Sequence, residues 1–132
     1  MRQNCSNAER VVDFLEDHPK VERVIYPKNY DGVVGERAKK YFNGGLGALV
    51  GFELKGGIEA GKKFINSLKL FFHVANIDDA RSLAIHPATT THSQLTPEEQ
   101  LASGVTPGYV RLSLGIEHPD DLLSDLKQAL EA

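Results

Sequence analysis

Arg111 lies in the run YVRLSLG, alternating with Val110 and Leu112 and so facing away from both. A guanidinium fixed on a strand presents a planar fork suited to gripping a carboxylate through two parallel N–H bonds. The same spacing allows a plainer reading, an edge-strand arginine in a surface ion pair. A second concentration of chemistry is RSLAIHPATTTHSQ, residues 81–94, where Thr89, Thr90 and Thr91 stand between His86 and His92 and Pro87 fixes the entry. Hydroxyls and imidazoles this dense belong either to a polar surface loop or to the wall of a pocket.

Other constellations are weaker. His86 and His92 are six apart across a proline, whereas a helical zinc pair needs i, i+4 spacing and a third ligand, which no cysteine or well-spaced acid supplies. His73, in an apolar run, reads as a hydrogen-bonded core histidine, and His18 and His118 as capping groups at helix ends. Asp78-Asp79, Glu98-Glu99 and Asp120-Asp121 are adjacent pairs whose side chains diverge on a helix or strand, so none can share a proton as an acid/base dyad. There is no GxSxG elbow, no phosphate loop and no GxGxxG. Cys5, the only cysteine, has no partner for a disulfide and no local histidine to activate it, and reads as an incidental thiol at a helix start.

The elements that must carry these residues follow from periodicity. Asn4 or Ser6 can cap a helix with Ala8, Val11, Val12 and Leu15 on one stripe, ending before Pro19. Strands are expected over 21–27, 47–54, 70–77 and 109–115, the third apolar enough to be buried. Helices are expected over 35–42, over 58–68 with Ile58, Gly61, Phe64, Ile65 and Leu68 inward, and over 119–130. Thr96, Pro97 and Glu99 have the form of a capping box with an N1 proline, opening a short helix that Gly104 closes. Residues 78–96 otherwise read as one long irregular segment, and long loops in compact domains usually carry function. The order implies an α/β two-layer sandwich: a four-stranded, largely antiparallel sheet with helices on one face and the other face left for something else to cover.

Length and composition agree with one domain, 1–132. The chain is 41% hydrophobic and 25% charged with no low-complexity tract, the profile of a soluble globular protein. A formal net charge of -3 gives no electrostatic reason to expect nucleic acid. No apolar run approaches the roughly 20 residues of a membrane span, and the N-terminus lacks the apolar core of a signal peptide, so the expected compartment is the cytosol.

Read together, HVANI, RSLAIHPATTTHSQLTPEEQ, GVTPGYVRLSLGIEH, NAERVVDFLEDHPKVERVIYP and FNGGLGALVGFEL resemble the C-terminal small domain of the cysteine/methionine-metabolism family of pyridoxal-phosphate enzymes. That family includes cystathionine synthases and lyases, methionine γ-lyase and O-acetylhomoserine sulfhydrylase, and the last is the branch these runs are most similar to. The resemblance implies replacement of the acetoxy group of O-acetyl-L-homoserine by sulfide to give homocysteine, with the cofactor as electron sink. It implies that Arg111 binds the substrate α-carboxylate, that Asn76 stands near that carboxylate and that Thr91, with His92 beside it, lines the same pocket.

Two positions depart from the family's pattern: Asp78 stands where glycine is usual, and Phe72 where a small polar residue such as serine is usual. The Schiff-base lysine, the phosphate-binding glycines and the aspartate that pairs with the pyridine nitrogen have no counterpart here, and none of the nine lysines is a candidate imine former. The expectation is therefore a small domain whose large cofactor-binding domain is absent, with no catalytic residue of its own and no pyridoxal phosphate bound alone, Met1 being an internal methionine of a homo-oligomeric enzyme. A sister activity of the family is the alternative, and so is a free-standing remnant that starts naturally at Met1 and acts as a binding module.

Overall fold

In the computed structural model, which describes residues 1–132, the centre is an antiparallel pair, β2 (Leu49–Leu54) and β5 (Tyr109–Ser113). Its register sets Val50 against Leu112 and Phe52 against Val110, so four fully buried side chains share one face. β1 (Val21–Ile25) pairs antiparallel with β2, β4 (Leu83–Ile85) antiparallel with β5, and β3 (Phe72–His73) parallel with β4. The sheet has five strands in the order β1-β2-β5-β4-β3.

Three amphipathic helices cover the apolar face: α1 (Arg2–Glu16), α3 (Gly57–Ser67) and α5 (Pro119–Glu131). Their stripes Ala8-Val11-Val12-Leu15, Phe64-Ile65 and Leu122-Leu126-Ala129-Leu130 meet Val50, Phe52, Val110 and Leu112 in one core. Phe52 and Phe64 pack edge to face with centroids 5.5 Å apart, the arrangement their ring quadrupoles favour. α2 (Gly32–Tyr41) follows a 3-10 turn at Pro27–Asn29. α4 (Pro97–Ala102) opens as expected: the Thr96 side chain accepts from the Glu99 N–H, and the Glu99 carboxylate accepts from the Thr96 N–H.

Several expectations are corrected. The sheet has five strands rather than four, because β4 lies inside the segment read as irregular; three residues ahead of a proline are too short to display a period. The apolar run 70–77 yields only a two-residue edge strand, with Phe71 buried but Phe72, Val74 and Ile77 exposed. His73 is accordingly exposed and is not a core histidine. α1 starts at Arg2 without a side-chain cap. Asn4 and Asn7 are buried instead and donate to the carbonyls of Leu114, Gly115 and Glu117, tying the first helix to the end of β5. α2 starts at Gly32 rather than 35, and Ile58 faces solvent rather than core.

Asp78 has φ 60°, the only non-glycine residue with positive φ. The departure from glycine thus falls where the backbone is left-handed, which costs an L-residue energy that glycine avoids. Asp78→Gly is expected to stabilise the fold by about 0.5–1 kcal/mol, raising the midpoint of thermal unfolding by a few degrees. An unchanged or lower midpoint would mean that the aspartate recovers the strain through its own contacts.

Candidate functional site

The face of the sheet opposite the core presents Arg111 between Gly51 of β2 and Ile85 of β4. Arg111 is therefore on a central strand, not an edge, and it makes no ion pair. Its one recorded donation is from Nη2 to the backbone carbonyl of Asn76 at 3.2 Å. The acid on the same face, Glu53, is already committed: Oε1 accepts from Arg23 at 3.0 Å and from the Thr106 hydroxyl at 2.7 Å. Arg111 is thus half-buried with unspent donors and no carboxylate beside it. It opens into a cleft of about 510 Å³ whose walls include Ile25, Ile85, Thr91, His92 and Tyr109.

The wall that carries Thr91 and His92 is held from behind. After β4 the chain makes a 3-10 turn at Pro87–Thr89, and His86 at its head is almost fully buried. The His86 Nε2–H donates to the Pro107 carbonyl at 2.8 Å, and Nδ1 accepts from the Thr89 hydroxyl at 2.9 Å. That pairing is the neutral imidazole. The Thr90 hydroxyl donates to the His86 carbonyl, and Gln100 of α4 donates to the carbonyls of Ala88 and His92. Behind the ring, a Cβ on Gly61 of α3 would come within 2.3 Å of Nε2, so the helix can approach this closely only as glycine. Thr91 and His92 are left at the cleft, Thr91 Oγ1 lying 2.9 Å from His92 Nδ1. The two histidines that bracket the threonines thus have separate tasks, one a buried strut and the other a surface of the cleft.

Burial holds the His86 imidazole below the usual histidine range, with Lys62 and His73 adding to the effect and the Pro107 hydrogen bond opposing it. Above pH about 6.5 the ring is neutral in folded and unfolded chains alike; below it the unfolded chain takes up the proton first, so stability falls with pH. His18 is also lowered, mainly by burial, and adds to the same slope. The midpoint of thermal unfolding is expected to drop between pH 7 and pH 5.5, and less steeply in His86→Gln, which cannot take the charge. An identical slope in the variant would assign the dependence elsewhere.

Of the residues singled out from the sequence, Arg111, Thr91 and His92 line one cleft. Asn76 reaches Arg111 through its backbone carbonyl, while its side chain makes no hydrogen bond and lies outside the lining, where Ala75 stands instead. The two departures also lie outside the lining: Phe72 packs under the Arg81 guanidinium at 4.7 Å, and Asp78 donates its backbone N–H to Ser113 Oγ at 3.3 Å. Sequence reasoning missed Tyr109, which shares the face of Arg111 two positions earlier; that period of two was the available signal.

Residues 1–131 match the family model for Cys/Met metabolism PLP-dependent enzymes. The chain belongs to that family. It is 56% identical, over 99% of its length, to an O-acetyl-L-homoserine sulfhydrylase of Leptospira meyeri and 51% identical, over 97%, to an O-acetyl-L-homoserine sulfhydrylase of Thermus thermophilus, covering 30% of each. An L-methionine gamma-lyase of Fusobacterium nucleatum is 48% identical over 99% of the chain and is covered to 33%. A Campylobacter jejuni structure assigned as an O-acetylhomoserine (thiol)-lyase, which carries an N'-pyridoxyl-lysine-5'-monophosphate, superposes with TM-score 0.89 at 42% identity over 98% of this chain and 31% of its own. The chain therefore spans about a third of the length of these relatives.

The family is PLP-dependent, yet the residues of this chain do not fit the cofactor. All nine lysines are exposed and none lines the Arg111 cleft, so no amine is placed to form an imine there. What the cleft offers is an unpaired guanidinium, the hydroxyls of Thr91, Ser103 and Tyr109, and an imidazole, which is chemistry for holding an anion.

Proposed function

We propose that residues 1–132 form the substrate-clamping small domain of an O-acetyl-L-homoserine sulfhydrylase, a cytoplasmic, homo-oligomeric transferase of methionine and cysteine metabolism. The observation that carries this reading is Arg111: a central-strand guanidinium with no ion pair, in a cleft without an acid, beside relatives whose first two members are sulfhydrylases. In this reading Arg111 grips the α-carboxylate of O-acetyl-L-homoserine bidentately. The Asn76 segment holds the guanidinium by its carbonyl, and Thr91 with His92 bounds the pocket. The electron-sink chemistry belongs to groups outside these residues. Large apolar side chains left uncovered at Val33, Val34, Tyr41 and Phe42 support the presence of a further polypeptide surface.

The methionine gamma-lyase relatives favour a second reading, elimination from methionine by a sister enzyme that keeps the same carboxylate clamp. The two separate on the gene product that carries these residues. Homocysteine formed from O-acetyl-L-homoserine and sulfide supports the first, and methanethiol released from methionine with no such transfer supports the second. A gene product of about the 14.5 kDa of this chain with neither activity would overturn both in favour of a binding module.

A further inference from the structure

We propose that Tyr109 is a second anion donor of this cleft, its phenol hydroxyl donating to the carboxylate that Arg111 grips. The inference rests on the carboxylate reading of Arg111 and adds a residue to it. Tyr109 and Arg111 stand two apart on β5 and so share a face. In the ladder Tyr109 is opposite Glu53 and Arg111 is opposite Gly51. The tyrosine ring does not lie over its own partner but leans diagonally across Gly51: a Cβ there would meet the ring Cε2 at 2.8 Å and the hydroxyl at 2.8 Å. The absence of a side chain at Gly51 is thus what seats the hydroxyl beside the stem of Arg111, since directly opposed positions in such a ladder are about 5 Å apart.

The hydroxyl is unspent. Every buried side-chain polar atom of the chain has a hydrogen-bond partner, and Tyr109 Oη makes none, so it is open to solvent, and Tyr109 lines the Arg111 cleft. Its nearest acid, Glu53, is occupied by Arg23 and Thr106. Burial raises the phenol above its ordinary range, with Arg111 opposing, which keeps it protonated and a donor at neutral pH. A guanidinium and a phenol O–H that line one open volume make a three-donor seat for a carboxylate.

The test uses the 132-residue chain with acetate as probe, exchanged for chloride at constant ionic strength and followed by the NMR signal of the Arg111 Nε–H. Wild type is expected to show a saturable shift, and Tyr109→Phe, which keeps the ring, to bind acetate about tenfold more weakly. Gly51→Ala, which unseats the ring, is expected to weaken binding similarly, and to add nothing in the Tyr109→Phe background. Tyr109→Phe binding within twofold of wild type would overturn the Tyr109 proposal and leave the Arg111 reading standing. Acetate binding that persists in Arg111→Lys, followed there by the backbone amide signals of residues 109–113, or no saturable shift in wild type, would overturn the Arg111 reading and this proposal with it.

Discussion

Arg111→Lys is expected to raise KM for the amino-acid substrate by about 10- to 100-fold in the enzyme that carries this chain, with a much smaller change in kcat. The size follows from the hydrogen bonds removed. A guanidinium holds a carboxylate through two parallel charge-assisted bonds, while an ammonium keeps the charge but offers a point, and one such bond contributes about 1.5–3 kcal/mol. The loss falls on KM because a carboxylate remote from the reacting carbon is bound equally before and during reaction. The lost bond has no local replacement, for Glu53 is an acid, the Asn76 carbonyl is an acceptor, and the single O–H of Tyr109 makes its own donation with or without the fork. Steady-state kinetics on the variant decides it: an unchanged KM would remove Arg111 from the carboxylate role, and a fall in kcat at constant KM would place it at the reacting atoms.

Asp125→Ala is expected to destabilise the fold by about 3 kcal/mol, read as a drop of about 10 °C in the thermal midpoint. Asp125, on α5, is buried, and its carboxylate accepts from the backbone N–H groups of Lys69, Leu70 and Phe71 at 2.8 to 3.2 Å. Gln128, one turn along the helix, donates to the same carboxylate at 3.0 Å. Truncation strands three partly buried donors at once, and each orphan costs about 1–3 kcal/mol when water cannot replace its partner. Asp125→Asn keeps one acceptor oxygen and should lose less. Since residues 69–71 lead into β3 and on to Asn76, the same variant should also broaden the NMR signals of the 73–78 segment. A midpoint within 2 °C of wild type would mean that solvent reaches these N–H groups and that the cradle contributes little.

These two residues were unequally visible beforehand. Arg111 could be found because strand alternation is local: Val110 and Leu112 declare the core face, and the residue between them must point the other way. The capping box at Thr96 and Glu99 was legible for the same reason, all its partners lying within four residues. Asp125 gave no such signal, since its backbone partners lie 54 to 56 positions earlier. β4 was hidden by length, and the edge position of β3 by an apolar run that looked buried. His86 and His92 are the same residue type in one short segment. Only the Pro107 carbonyl and the Gly61 notch, both distant in sequence, separate a buried strut from a cleft wall.

By itself, then, the sequence determined the layered α/β architecture, the core stripes, the face on which Arg111 stands and the family, because each is written in periods and motifs that need only neighbours along the chain. The tertiary structure alone decided that Arg111 is central and unpaired, that Glu53 is spent elsewhere, and that Tyr109 leans over Gly51. The physical reason is that pairing and burial are properties of which strands become neighbours, and two residues two apart on one face, Tyr109 and Arg111, are joined by Gly51 from a strand more than fifty positions away.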